Sequence, residues 1–222
     1  PGRDLLDVGC GTGIAARQFR AADCAVLGVE PDARMADFAR GTGIEVEVAT
    51  IEDWEPAGRR FDAVVAGQAW HWVDPVAGAA KTAQVLRPRG RWAVFSHIFE
   101  PPEPVSRALA EAVERAVPDL PVAFRGRPGG AQAGYRAVFG KVIDAMRETG
   151  AFSEPEDWRF EWERPYTRDE WLDLLPTTGV LTRVSPAALA EVRAAVGAAI
   201  DERGGGFTMH FVTAGLSAVR TG

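Results

Sequence analysis

The sequence predicts an α/β fold, an open and mostly parallel sheet with helices on both faces, and three observations carry that expectation. The run Asp4-Leu5-Leu6-Asp7-Val8 is apolar, too short for a helix, and ends in an acid followed by glycines at 9, 11 and 13. A strand entering a tight loop has this form: leaving a strand sharply calls for positive φ, and a ligand lying on bare backbone leaves no room for Cβ. A second apolar run, Ala25 to Val29, also ends in an acid, Glu30, where an open α/β sheet presents a ribose-binding carboxylate. Beyond these, strand-like and helix-like patterns alternate through residue 96, as crossover connections between parallel strands require.

Taken in order, Ile14 to Ala22 reads as the first helix and Ala25 to Glu30 as the second strand. Asp32 is placed to cap a helix through Arg40, with Gly41 and Gly43 ending it. Ile44 to Ala49 sets apolar residues against Glu45 and Glu47, the period-2 pattern of a strand near a sheet edge. Phe61 to Gly67 is almost continuously apolar and fits a buried central strand. Val76 to Leu86 is helical, Arg87-Pro88-Arg89-Gly90 closes it, and Arg91 to Ser96 is the fifth strand. Glu103 to Val117 reads as a helix. Pro118 to Gly134 is rich in proline and glycine, which predicts a long loop, either a plain connector or a lid over a substrate. Tyr135 to Thr149 is a helix, and Trp158 to Tyr166 alternates aromatic and charged residues as a strand. Thr167 and Glu170 form a capping-box pair. A helix over Pro186 to Arg203 and a last strand over Phe207 to Val219 complete the chain, which holds no repeat or low-complexity tract.

Composition limits the function classes. The 222 residues are 46% hydrophobic, enough for a substantial core in one domain. A net charge of −6, with 23 arginines and two lysines scattered along the chain, argues against a nucleic-acid or anionic-membrane partner. Cys10 and Cys24 are the only cysteines, so no disulfide framework is implied and a reducing cytoplasm fits. No apolar run approaches eighteen residues and the N-terminus is not signal-like. The alanine-rich, arginine-over-lysine bias suggests a GC-rich bacterial genome.

The glycine spacing separates cofactor types. A dinucleotide fingerprint G-x-G-x-x-G would need glycine at position 14, which is Ile14. The pattern D-x-G-x-G-x-G resembles motif I of the class I S-adenosylmethionine-dependent methyltransferases. Gln68-Ala69-Trp70-His71-Trp72, together with the stretch Tyr166 to Leu175, is similar to small-molecule methyltransferases of the trans-aconitate methyltransferase-like type. Leu86 to Trp92 resembles the family's L-R-P-G-G turn, with Arg89 in place of the first glycine.

The resemblance implies a seven-stranded Rossmann-like sheet whose last strand is antiparallel. It also implies a single domain over 1–222, with residues 100–134 and 167–203 as cap or lid insertions. S-adenosylmethionine is the implied cofactor and a small molecule the implied acceptor; oligomeric state stays open. Asp7 would sit near the methionine amine and Glu30 would grip the ribose hydroxyls, with Gly9, Cys10, Gly11 and Gly13 as the loop between them. The plainer alternative makes Asp7 a turn cap and Glu30 an exposed strand-end acid. Pro31 and Met35 would pack on adenine, although Met35 also suits an ordinary helix core. Where the family often has Gly-Asp-Ala-Glu, this chain has Ala49-Thr50-Ile51-Glu52. Thr50 supplies no carboxylate, so the adenine contact passes to Glu52 or to backbone at Ile51. Gly67 and Gln68 complete the expected cofactor set. Pro1 lies just before the first strand and no initiator methionine is present, which reads as a fragment lacking the helix that usually precedes that strand.

Methyl transfer is an in-line displacement on an activated sulfonium, so alignment supplies much of the rate and a base matters only for a protonated nucleophile. His71, just past the fourth strand, is the candidate base, with a pKa suited to proton removal near neutrality; holding a hydrogen bond within an aromatic cluster is the alternative. His97 shares that edge, and His210 reads as structural. Trp70, Trp72 and Phe99 suggest a partly apolar acceptor pocket. No Asn/Asp-Pro-Pro-Tyr/Phe segment follows the fourth strand and neither cysteine is placed as a nucleophile, which argues against nucleic-acid bases as acceptors. No metal is expected. The predicted activity is methyl transfer to oxygen of a small acceptor. A non-catalytic S-adenosylmethionine-binding protein and an NAD(P)-dependent oxidoreductase are the alternatives.

Overall fold

The computed structural model describes residues 3–116, 130–178, 181–182 and 184–222. Strands β1 (Asp4–Val8), β2 (Ala25–Val29), β3 (Glu45–Glu47) and β4 (Phe61–Gly67) alternate with helices α1 (Ile14–Ala21) and α2 (Ala33–Gly41). Then follow α3 (Pro75–Val85), β5 (Leu86–Glu100), α4 (Glu103–Ala116), α5 (Gly130–Thr149), β6 (Glu156–Thr167), α6 (Arg168–Leu174), α7 (Pro186–Asp201) and β7 (Gly206–Val219). The strands form one sheet in the order β3-β2-β1-β4-β5-β7-β6. The first five pair in parallel, and the closing strands are antiparallel, as the family resemblance implied.

This order places a reversal of winding at β1, which pairs with β2 on one side and β4 on the other. Because these strands are parallel, their carboxyl ends open on one edge, and a crevice forms there between the loops that leave in opposite directions. Local chemistry sets the helix starts. The Asp32 carboxylate accepts from Arg34 N at 2.9 Å to cap α2, and Asp74 caps α3, whose first turn begins with Pro75. Thr167 and Glu170 complete the expected capping box at the start of α6. Each satisfies backbone donors that the first helical turn leaves open.

Three boundaries differ from the expectations. β3 is limited to three residues. β5 begins at Leu86, so the segment expected as a turn lies in the strand; Arg89 takes φ +64 there. Hydrogen bonds from Arg89 N to Arg220 O at 3.1 Å and from Arg220 N to Gly90 O at 2.8 Å carry the pairing through the irregularity. Residues 130–134, expected as loop, belong to α5, where Ala131-Gln132-Ala133 supply helix formers that extend the turn ahead of Tyr135. Residues 117–129, with the connector-or-lid reading, lie outside the described residues.

The chain divides into two compact units. One comprises residues 1–97, 135–159 and 213–222 and is built on Leu6, Val8, Val29, Val64, Trp92 and Met146. Trp92 is fully buried, its ring 4.7 Å from that of Trp70, and truncating so large a core side chain costs about 3–5 kcal/mol. The other unit comprises residues 98–134 and 160–212. There α4 packs on α7, and Trp171, Leu175, Val192, Ile200 and Met209 fill its core.

Candidate functional site

The loop after β1 is shaped by close approach. Gly9 has φ +65, and a Cβ built on it would lie 2.5 Å from the Ala69 Cβ, so no larger residue fits while the β4 turn stays in place. Gly11 and Gly13 also have positive φ, and Gly13 forms the N-cap of α1. Gly9 N donates to Val29 O at 2.8 Å, which ties the loop to the end of β2. Cys10 directs its side chain into a small core with Ala16, Ala36, Ala39, Ile44 and Val46. Its sulfur would be 2.5 Å from a Cβ at Gly28, so glycine in β2 is what admits the thiol. Burial, then the charges of Asp7 and Glu30, pushes the Cys10 pKa up to about 12. Only the Cys10 backbone can face a ligand.

Two buried carboxylates flank this loop. Glu30 is 6% exposed; one oxygen accepts from Gly11 N and the other from Asp32 N, both at 2.9 Å. The acid therefore holds the loop and the entrance to α2 together. Asp7, 1% exposed, leaves its Oδ2 without a hydrogen-bond partner among the described residues. Burial, reinforced by the neighbouring Glu30 charge, raises its pKa to about 7. An orphaned carboxylate oxygen at this depth is costly unless a cation or donor arrives. The pair fits a ligand with an ammonium group, and a glycine loop without Cβ atoms fits one that lies against backbone.

The remaining expected contacts scatter in character. Met35 is 42% exposed and its sulfur is 3.9 Å from a Cβ built on Gly11, so it borders the loop and is not helix core. Pro31 is exposed beside Glu30. Ile51 is 2% exposed within the main core, leaving only its backbone for a ligand. Thr50 donates from Oγ1 to Asp53 Oδ2 at 3.0 Å. Glu52 Oε1 accepts from Asp74 N at 2.8 Å, so that carboxylate already serves the start of α3.

A second cluster occupies the carboxyl ends of β4 and β5. A Cβ on Gly67 would meet the Phe95 ring at 2.7 Å, and Gln68 takes φ +58. Gln68 N donates to Phe95 O at 2.9 Å, and its Nε2 donates to His97 O at 3.1 Å. His97 Nδ1 lies 2.8 Å from Thr213 Oγ1. His71 is on the exposed turn that follows, its ring 4.8 Å from that of Trp72. Partial desolvation holds both imidazoles below the ordinary histidine pKa, so both are neutral at pH 7. Trp70, 3% exposed, belongs to the core, whereas Trp72 is exposed. Phe99 packs on Trp171 and Phe211 in the second unit. His210 sits at the surface with Nδ1 2.9 Å from Glu163 Oε1. Sequence reasoning missed Tyr135, whose hydroxyl donates to Gln68 Oε1 at 3.2 Å from α5. The contact spans 67 positions, and the only local signal was a tyrosine in a chain that has two. Among the described residues no group of three or more His, Cys, Asp or Glu is placed to hold a metal ion, and no helix is long and apolar enough to cross a membrane.

Comparison with known proteins agrees with this geometry. Residues 6–94 match the family model described as a methyltransferase domain. An uncharacterized methyltransferase of Mycobacterium tuberculosis is 36% identical over 91 residues, covering 40% of this chain and 37% of the relative. A ubiquinone biosynthesis O-methyltransferase of Thiobacillus denitrificans is 31% identical over 103 residues, covering 43% of this chain and 44% of its own. The chain thus spans less than half the length of these curated relatives. In fold, a structure from Anaeromyxobacter dehalogenans assigned as a type II methyltransferase superposes with a TM-score of 0.63 at 24% identity, covering 96% of this chain and 88% of that one. Residues 6–94 are therefore similar to a methyltransferase domain, a likeness that points to S-adenosylmethionine as the cofactor.

Proposed function

We propose that this protein moves a methyl group from S-adenosylmethionine to an oxygen of a small organic acceptor. The observation that carries the cofactor assignment is the orphaned, deeply buried Asp7 oxygen beside the Gly9–Gly13 loop, with Glu30 across it. In this reading Asp7 receives the methionine ammonium and Glu30 the ribose hydroxyls. The backbone of Gly9, Cys10, Gly11 and Gly13 lies under the ligand, while Pro31 and Met35 cover the adenine. Backbone at Ile51, with Thr50 and Glu52 nearby, borders the adenine edge, and Gly67 and Gln68 close the side toward β4.

When bound, S-adenosylmethionine supplies a methyl carbon on a cationic sulfur. The protein then needs to align an acceptor oxygen with the C–S bond and keep water away. As the C–O bond forms and the C–S bond breaks, the neutral His71 imidazole takes the proton of a hydroxyl acceptor. A carboxylate acceptor arrives ionised and asks only for orientation. Oxygen is favoured by the kinship with ubiquinone biosynthesis O-methyltransferases and by the absence of an Asn/Asp-Pro-Pro-Tyr/Phe segment after β4. A cytoplasmic setting, in which Cys10 and Cys24 stay reduced, belongs to the same reading.

The test is incubation with methyl-labelled S-adenosylmethionine and a panel of phenols, alcohols, carboxylic acids, amines, duplex DNA and structured RNA. A labelled methyl ether or ester is expected. Label recovered only on an amine nitrogen overturns the oxygen assignment, and label recovered only on nucleic acid overturns the small-molecule assignment.

A further inference from the structure

We infer that Tyr135 is a positioning residue for the cofactor site, acting through Gln68 to latch the β4 turn on which the glycine loop rests. The inference depends on the cofactor reading given above and adds a residue from α5 that no loop motif contains.

Gln68 holds φ +58, a conformation that a residue with a side chain keeps only where its surroundings impose it. Two of its hydrogen bonds run to β5: backbone N to Phe95 O at 2.9 Å and Nε2 to His97 O at 3.1 Å. The other end of the amide is held from outside the sheet edge, where the Tyr135 hydroxyl donates to Oε1 at 3.2 Å. Ser96, a buried residue of β5, lies close to that hydroxyl. Burial keeps the Tyr135 pKa above its usual value, so the hydroxyl is a neutral donor at physiological pH.

The consequence passes to the next residue. Ala69 presses its methyl group against the Gly9 backbone, where an added Cβ would lie only 2.5 Å away. Gly9 in turn is hydrogen-bonded to Val29, the residue before Glu30. A continuous path of hydrogen bonds and one close contact therefore joins the Tyr135 hydroxyl to the floor of the cofactor loop. Releasing Oε1 lets the amide swing and the strained turn relax, and Ala69 then no longer braces Gly9.

Titration calorimetry of the full chain with S-adenosylmethionine decides the matter. Tyr135→Phe keeps the ring and removes one hydroxyl; affinity should fall about 3- to 10-fold, the scale of one hydrogen bond to a buried polar partner. Glycine adopts φ +58 without strain, so Gln68→Gly removes both the strain and the latch's acceptor. In that background Tyr135→Phe should change affinity by less than about 1.5-fold, a non-additivity that distant, independent sites do not show. Glu30→Ala runs alongside as the control on the cofactor reading. If Glu30→Ala loses affinity while Tyr135→Phe matches the unmodified protein, the inference is wrong and the cofactor reading stands. If Tyr135→Phe weakens binding equally in both backgrounds, Tyr135 does not act through Gln68 and the inference is wrong again. If Glu30→Ala binds as tightly as the unmodified protein, the cofactor reading itself fails and takes the inference with it.

Discussion

At the carboxyl ends of β1 and β2 the candidate site consists of backbone and two buried carboxylates, whereas at the ends of β4 and β5 it consists of uncharged polar side chains from three segments. In the first region Asp7 and Glu30, 23 residues apart, flank a loop whose Gly11 N–H donates to Glu30. In the second, Gln68, His97 and Tyr135 meet across a turn, a strand and a helix. The contrast teaches how each region stores its function. Buried charge is held at a cost to the fold and recovered when a cation arrives. A neutral hydrogen-bond network carries no such charge penalty, and with its groups satisfied it fixes the turn that it holds.

The largest expected effect tests whether the first region really carries that cost. Asp7 has a folded pKa of about 7 against 3.8 for the free side chain. Between those values the folded protein keeps a proton that the unfolded chain has lost, so stability contributed by this group is full below pH 4 and declines as pH rises toward 7. The loss is about 4 kcal/mol as an upper bound. Chemical denaturation of the cofactor-free protein from pH 4 to 8 should show this slope, and Asp7→Asn should flatten it. Calorimetry in buffers of different ionisation enthalpy should also detect proton release when S-adenosylmethionine binds near pH 6. Parallel stability curves for the two proteins would place the cost elsewhere.

Next in size is His71, which tests the second region. With a hydroxyl acceptor, His71→Ala should lower turnover roughly 10²-fold while leaving cofactor affinity unchanged. Since desolvation depresses its pKa, the unmodified rate should rise as the imidazole loses its proton below pH 6.5 and stay level above. Turnover of His71→Ala and His71→Gln from pH 5 to 9 measures this. Rates and profiles equal to the unmodified protein would return His71 to a plain surface turn.

A smaller effect is expected for Glu30→Ala, which removes the two hydrogen bonds to Gly11 N and Asp32 N along with the proposed ribose contact. Affinity for S-adenosylmethionine should weaken by about 1–3 kcal/mol, read by titration calorimetry. A loss confined to thermal stability, with affinity intact, would make Glu30 a brace for the loop and overturn the cofactor reading.

Legibility in the sequence follows the same division. The loop, its two acids, the caps Asp32 and Thr167 and the alternation of strands and helices could be read because each depends on residues within a few positions of one another. Arg89 shows where local reading stops: its turn-like surroundings lie inside β5 because Arg220, more than a hundred residues away, supplies the pairing partners. Cys10 shows the same limit, since its loop position suggested a ligand contact and only the space over Gly28 reveals that the thiol turns inward.

By itself the sequence determined the parallel sheet, the glycine loop and the two acids that flank it. Strand periodicity, positive-φ requirements and helix capping are short-range effects that residue types encode directly. Tertiary structure alone decided that Trp70 is core while Trp72 faces solvent, that Ile51 offers only backbone, and that Tyr135 reaches Gln68. Those outcomes depend on which side chains from remote segments compete for the same space and the same hydrogen-bond partners, and burial and pairing of that kind are properties of the packed chain.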